Sequence, residues 1–346
     1  MSEGFYDGTK LLSMQDLEGR RPEIYLCTTN KSAGKTTFFS RLCVNRWKDS
    51  RSKFMLLYRF TYELDDCADK FFKDIGSLFF PDFAMTSARK SNGIYHELLI
   101  NDEPSGYAVA LNNADAIKKM SHLFSDVDRM FMDEFQSETN HYCNEEVKKF
   151  RAVHTAVARG QHKHTRYVPV YMCSNPVTLL NPYYTALGIA PRLRDDTRFL
   201  RGNGFVLEQG FNESAAKAQK ESAFNRAFGD DKYNAYQFQA VYLSDSKSFI
   251  ERPDGIGNYM CTLKYMGSYY AIRRYPEYGI VYCDDRADMT FPQKIAVTTD
   301  DHQINYVMLK SNSIFLSTLR YFFEHGCFRF RDLQCKEAIM QALAYI

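Results

Sequence analysis

Residues Thr29 to Thr36 read TNKSAGKT, and the second half of this run, Gly34-Lys35-Thr36, carries the residue types that hold a triphosphate. In the full pattern G-x-x-x-x-G-K-[ST], successive backbone N–H groups wrap the phosphates, the lysine reaches the terminal ones, and the hydroxyl joins a Mg2+ shell. Here Thr29 replaces the leading glycine, and a second lysine, Lys31, lies inside the loop. The tripeptide alone is common by chance, so its surroundings decide. An apolar run, Ile24 to Cys27, precedes the loop, and FFSRLCVNRW follows it with helical spacing. Strand, loop, helix is the order that phosphate binding requires. ATP and Mg2+ are the expected cofactors, with Thr29, Asn30, Lys31, Ser32, Ala33, Gly34, Lys35, Thr36 and Thr37 around the phosphates and Thr36 on the metal.

Two further runs end an apolar strand in polar residues. In RMFMDEF, Asp133 and Glu134 emerge after Met130 to Met132. Asp133 would accept hydrogen bonds from metal-bound water, and Glu134 would polarise the water that attacks the γ-phosphate. In VYMCSNP, Ser174 and Asn175 stand at the strand tip. An amide there can hydrogen-bond both a phosphate and the attacking water, and a shift of its strand would report hydrolysis. Taken singly, the first run is a common acidic strand end and the second a turn; their order after the phosphate loop favours chemistry. The segment AVARGQHKHTR carries Arg159, Lys163 and Arg166 after a helical stretch that begins near Val147. Arg159 is the candidate for a guanidinium reaching a neighbouring subunit's nucleotide, a role that competes with plain compensation of the helix dipole. His162 and His164 lack partner ligands at useful spacing and read as solvated loop.

These groups need strands to present them. Apolar strand candidates recur at Ile24 to Cys27, Phe54 to Tyr58, Tyr107 to Leu111, Met130 to Met132 and Val168 to Cys173, separated by helical or irregular segments. The alternation predicts an α/β domain with a mainly parallel sheet, and chemistry at the strand ends. A chain of 346 residues exceeds what one core usually organises. The expected division is residues 1–210 as a P-loop ATPase domain, 211–243 as a polar helical linker, and 244–346 as a domain of closely spaced strands with two amphipathic segments, Phe315 to Phe323 and Ala338 to Tyr345.

A net charge of +2 means that any nucleic-acid contact must come from local basic patches. Lys53, Lys118, Lys119, Lys148 and Lys149 are unranked candidates. Nine cysteines without a C-x-x-C pair suggest reduced, buried thiols. With no basic-then-apolar leader and no run of membrane-spanning length, a soluble, unprocessed chain with no membrane partner is expected. The 24 tyrosines and 27 phenylalanines fall mostly in amphipathic or strand-like runs and are expected in the core.

The order TNKSAGKT, LLYRFTYEL, MFMDEF, CSNPVTLLNPYY, SFIERP, VTTDD and FRF closely resembles that of the DNA-encapsidation ATPases of small protein-primed tailed phages, relatives of the phage large terminases. The resemblance covers nearly the whole chain. It is most specific at DEF, at the S-N-x-x-x-x-x-N-P-Y run from Ser174 to Tyr183, and at Thr298 to Asp301. It implies an ASCE/RecA-like P-loop domain, a helical linker and a C-terminal ribonuclease-H-like α+β domain. It also implies ATP-driven translocation of double-stranded viral DNA into a preformed procapsid. The partners would be the portal, other copies in a homo-oligomeric ring, a pentamer, and room for a packaging RNA, all in the host cytoplasm. On the same basis Lys31 matches a basic residue in the terminase loop, which makes the lost first glycine tolerable. Lys35 and Thr36 bind phosphate and Mg2+, Glu134 is the catalytic glutamate, Arg59 matches a basic position after the second strand, and Arg159 matches the trans-acting arginine.

Large terminases also cut DNA, which requires several carboxylates converging on two metal ions. The first strand of such a nuclease normally presents an aspartate, and Met260 to Tyr265 contains none. Asp284, Asp285, Asp300 and Asp301 read as turn formers and caps. Nuclease activity is therefore not expected, and Arg252, Lys264, Arg273 and Arg274 are expected to touch nucleic acid or the portal. The competing readings are a RecA-like helicase or remodelling ATPase on single strands, and a non-catalytic scaffold docked on the portal.

Overall fold

In the computed structural model the described residues are 4–139, 141–160, 164–178, 181–189, 192–193, 197–228, 250–325 and 327–343. Lys163, His162 and the linker stretch 229–243 lie outside them. The chain divides into two units, Met1–Leu243 and Ser244–Ile346.

The first unit runs α1 (Thr9–Ser13), β1 (Ile24–Thr28), α2 (Lys35–Ser50), β2 (Lys53–Tyr58), α3 (Tyr62–Phe79), β3 (Met85–Lys90), β4 (Tyr95–Ile100), β5 (Glu103–Ala110), α4 (Ala114–Lys119) and β6 (Val127–Asp133). It continues with α5 (Glu146–Val157), β7 (Val170–Ser174), α6 (Pro182–Ala186), β8 (Phe199–Arg201), β9 (Phe205–Gln209), α7 (Glu213–Glu221) and α8 (Ala223–Phe228). Its nine strands form one sheet in the order β3-β4-β5-β2-β6-β7-β1-β9-β8. From β5 to β9 every neighbouring pair is parallel. The central strands are covered on both faces, which is why they read as continuous apolar runs. β3, β4 and β8 are antiparallel additions at the edges. Sequence periodicity does not find them, because MTSARK and YHELLI mix polar and apolar residues on half-buried strands.

Two apolar layers enclose this sheet. α2 and α3 cover one face through Phe39, Val44, Trp47, Phe72 and Ile75, and α4 and α5 cover the other through Ile117, Phe150, Val153 and Val157. Phe39 seats α2 on the strands that bear the chemical residues. It is fully buried, stacks on Tyr171 of β7 at 5.5 Å and meets Phe131 of β6 at 6.0 Å.

In the second unit β10 (Asn258–Tyr265), β11 (Ser268–Tyr275) and β12 (Ile280–Asp284) form an antiparallel meander. β13 (Lys294–Ala296) and β14 (Val307–Met308) add in parallel beyond β10, and β15 (Phe328–Phe330) adds in parallel beyond β12. The helices Ser313–Glu324 and Leu333–Leu343 cover one face through Leu316, Leu319 and Ile339. Lys264 and Arg273, expected at a nucleic-acid surface, are instead buried. The Lys264 ammonium lies over the rings of Tyr269 and Tyr306 at 5.7 and 5.9 Å, and Arg273 donates to Asp284 at 2.6 Å. The charge pattern misled because aromatic faces and a carboxylate can hold a cation inside a fold. Arg252 and Arg274 remain exposed. Asp301 accepts the Met266 and Gly267 N–H groups at 3.0 and 2.8 Å and the Thr298 hydroxyl at 2.6 Å, so it ties down the β10–β11 turn.

Eight cysteines among the described residues are free thiols, seven of them buried. No described helix is long and apolar enough to cross a membrane. Because Phe39 fills the space between α2 and two strands, Phe39→Ala is expected to cost about 3–5 kcal/mol in the unfolding of the first unit. Phe5→Ala, at a ring 55% exposed, should cost less than about 1 kcal/mol; comparable losses in a urea titration would contradict this account.

Candidate nucleotide site

The three motifs separated in sequence meet at the carboxyl edge of three adjacent strands. Thr28 of β1 pairs with Ser174 of β7, and Asp133 of β6 pairs with Cys173 of β7. Strand ends at one edge of a parallel sheet are where α/β folds place their ligands. The chain leaves β1 at Thr29, turns through Asn30 to Gly34 and enters α2 at Lys35. Ser32 (φ 60°) and Gly34 (φ 94°) are left-handed, alternating with residues that are not. That alternation turns successive N–H groups into one concavity, which the amino end of the 16-residue α2 completes. The concavity and its lysine fit a triphosphate.

Thr29 has no left-handed backbone, so the missing first glycine leaves no strain at its own position. Its methyl group instead meets Gly210, where an added Cβ would come within 2.8 Å of Thr29 Cγ2. Gly210 also donates its N–H to Thr28 O at 2.8 Å, holding the segment after β9 against the loop. The glycine that the loop has lost is thus matched by one across from it.

Lys35 is buried, and its ammonium donates to Asn175 Oδ1 at 2.7 Å and to Thr29 O at 3.5 Å. Asp133 Oδ1 accepts from the Glu134 N–H and from the Cys173 thiol, both at 2.9 Å. Burial and the nearby Asp133 push that thiol well up, which keeps it a donor. Thr36 and Asp133 line one cavity of about 590 Å³ together with Glu134, a hydroxyl and carboxylate set that suits Mg2+. The Glu134 side chain still reaches solvent. Partial burial, then the like charges of Asp133 and Glu138, raise its carboxyl above the usual range, while Lys35 and Lys31 pull it down. Lys31 forms an ion pair with Glu138 at 3.2 Å.

Glu134 is itself left-handed (φ 53°), a conformation that costs a non-glycine residue on the order of 1 kcal/mol or more. Arg59 holds it there. Its guanidinium donates to Glu134 O at 2.8 Å and to Phe135 O, and its Nε donates to Glu146 Oε1 at 3.1 Å. Glu146 in turn accepts from Tyr183 OH at 2.9 Å and from Cys143 N at 3.0 Å. The N-P-Y run thereby gains a reason: Asn181 caps α6, Pro182 opens it, and Tyr183 anchors the carboxylate that orients Arg59. Arg59 braces the loop through these bonds and also lines the cavity shared by Thr36, Asp133 and Glu134.

Gln136 joins the loops after β6 and β7 directly. Its buried Oε1 accepts from the Val177 and Thr178 N–H groups, each at 3.0 Å. Tyr183 belongs to the N-P-Y run marked in the sequence, whereas Gly210, Gln136 and Glu146 carry no local signal: Gly210 bonds to Thr28, Gln136 to Val177 and Thr178, and Glu146 to Arg59, each far along the chain. Arg159 is not brought to this site. α5 begins at Glu146 beside Arg59, and its 12 residues carry the chain about 18 Å away. There Arg159 is exposed and lines a groove of about 370 Å³ with Lys118, Lys148, Arg151 and Thr155.

The Thr29–Gly210 contact is testable by a double substitution. Gly210→Ala should weaken nucleotide binding by about tenfold, the equivalent of about 1.4 kcal/mol, and adding Thr29→Gly should restore it, because the two positions compete for one volume. A double variant no better than Gly210→Ala would remove this explanation of the altered loop.

The model of the Podovirus DNA encapsidation protein (Gp16) family matches residues 3–344. The DNA packaging protein of Bacillus phage phi29 is 22% identical over 330 residues, covering 94% of this chain and 93% of its own length. In the solved bacteriophage phi29 viral genome packaging motor assembly, a chain 21% identical superposes with a TM-score of 0.62, covering 99% of this chain and 98% of that one. The phi28 gp11 DNA packaging motor gives a TM-score of 0.60 at 15% identity, over 99% of this chain and 97% of that one. With the phosphate loop, the acidic strand end and the asparagine tip brought to one edge, and with the match spanning both units, the chain belongs to the Podovirus DNA encapsidation protein (Gp16) family.

Proposed function

We propose that this chain is the ATP-hydrolysing subunit of a ring motor that drives double-stranded viral DNA through the portal into a preformed procapsid in the host cytoplasm. The observation that carries the reading is the convergence of Lys35, Asp133, Glu134 and Asn175 at the ends of β1, β6 and β7. In this reading residues 1–210 form the ATPase domain, 211–243 the linker, and 244–346 a domain that does not cut DNA. Support for the last point comes from Asp284, committed to Arg273, and Asp301, committed to a turn.

The backbone N–H groups from Lys31 to Thr36 hold the phosphates, and Thr36 and Asp133 would hold a Mg2+ ion. When bound, such an ion would supply neutralisation of phosphate charge. Lys35 exchanges Asn175 for a phosphate oxygen, which frees the Asn175 amide to face the γ-phosphate and the attacking water. Glu134 takes a proton from that water as it attacks. Gln136 ties the Glu134 loop to the Asn175 loop, so the two respond together. Arg159, remote from its own phosphate loop and flanked by Lys118, Lys148 and Arg151, serves the site of the neighbouring copy in a pentameric ring. Exposed basic residues contact the DNA phosphates without reading bases, and affinity falls with salt. A packaging RNA bound by the ring is compatible with the same phosphate-directed surface.

Three measurements test this reading. Glu134→Gln should lower duplex-stimulated ATP turnover by about 100-fold or more and keep nucleotide binding; turnover within a few-fold of the parent would exclude Glu134 as the base. Because the Glu134 carboxyl is raised, the acid limb of kcat/KM should lie above the usual glutamate value of about 4.3, with activity lost as pH falls through it. Lys31→Ala removes a charge that lowers this value, so the limb should move to higher pH; an unmoved limb would show that Lys31 does not act on Glu134. Finally, mixing Arg159→Ala with Glu134→Gln subunits, each inactive alone, should recover part of the turnover, since some interfaces then combine an intact arginine with an intact glutamate. No recovery at any ratio would rule out the trans placement.

A further inference from the structure

The phosphate loop is tied to α7 by side chains that the phosphate cradle does not use. α7 has nine residues and buries none of its side chains, and a helix of that length is marginal on its own. Its N-cap, Asn212, accepts the Ala215 N–H at 2.8 Å. The same residue pairs with the fully buried Asn30 in both directions, Asn212 N donating to Asn30 Oδ1 at 2.9 Å and Asn30 Nδ2 donating to Asn212 O at 3.1 Å. Two turns later Gln219 Nε2 donates to Ser32 Oγ at 2.8 Å. The amino-terminal segment closes the junction: Gly4 O accepts from Asn212 Nδ2 and Ser214 Oγ at 2.7 and 2.8 Å, and Tyr6 N donates to Ala33 O at 2.7 Å.

Ser32 sits at the centre of this arrangement. Its left-handed backbone belongs to the alternation that shapes the cradle, while its hydroxyl accepts from Gln219 of α7. A serine held there is strained, and two kinds of partner can hold it: a phosphate oxygen on the N–H, or Gln219 on the hydroxyl.

We propose that Gln219 and Asn212 are positioning residues for the phosphate loop, holding Ser32 in its phosphate-binding conformation, and that a bound triphosphate in turn holds α7 docked. The proposal rests on the ATP reading above. Coupling between two binding events is reciprocal, so whatever α7 adds to phosphate affinity, phosphate adds to α7 docking. The chain that carries α7 continues into the second unit, so the first segment on that path has an order that depends on what fills the loop.

Hydrogen exchange of the full-length chain at the α7 amides, with and without a saturating, slowly hydrolysed ATP analogue, tests this, with analogue binding measured separately. In the parent chain the analogue should slow exchange across α7 by about tenfold or more. In Gln219→Ala that slowing should be lost, KM for ATP should rise about three- to tenfold by the same coupling, and kcat should stay within about twofold. A helix contact with no link to the phosphates would change α7 exchange equally with and without the analogue and leave KM unmoved. Analogue binding with unchanged α7 exchange, or retained slowing in Gln219→Ala, overturns the proposal alone. No analogue binding at all overturns it together with the ATP reading.

Discussion

The hydrogen-bond register between β6, β7 and β1 is the constraint on which the site depends. Met130 lies level with Val170, and Val170 with Ile24, so three residues later Asp133, Cys173 and Cys27 are level, and the polar residues follow at the same height. A slip of one residue in any of these pairings would turn every side chain of that strand to the opposite face. The buried apolar residues on both faces forbid such a slip. Positional accuracy in the polar cluster is thus set by the packing of residues that touch no ligand.

Electrostatic order at the same edge depends on pairing buried charge. Arg59 and Glu146 are both buried, and either alone would be expensive in that environment. Together, with Tyr183 and Cys143 satisfying the remaining acceptor positions, they form a fixed cationic fork under two consecutive carbonyls. The pair is better understood as geometric than as stabilising: it specifies where Glu134 begins. Lys31 and Lys35 then set the field on the far side of that carboxyl, against Asp133 and Glu138.

How much of this was legible in the sequence follows from the range of each interaction. The loop at Thr29 to Thr36, the acidic end of β6 and the tip of β7 each announce themselves within about ten residues, because strand, turn and helix signals are local. Five parallel strands, β1, β2, β5, β6 and β7, were legible for the same reason, as runs buried on both faces, whereas β9, also parallel and buried, was not anticipated. Edge strands β3, β4 and β8 were not, since half-buried residues blur the period. Gly210, Gln136 and Glu146 act through partners distant in sequence, and no local pattern marks them. Lys264 and Arg273 show the opposite failure, where residue type suggested a surface and tertiary packing put both inside.

The left-handed backbone at Ser32 and Glu134 has an evolutionary consequence. At both positions glycine would relax the backbone, and at both the side chain makes contacts that glycine would lack: Ser32 accepts from Gln219, and Glu134 lines the cavity with Thr36 and Asp133. If the proposed roles hold, substitutions that raise stability there would remove them, so at these two sites selection for a sturdier protein and selection for a working one pull apart. A lineage evolving toward greater thermal resistance would have to find its gains elsewhere, in the layers around Phe39 or along the edge strands, and leave this strained pair as it is.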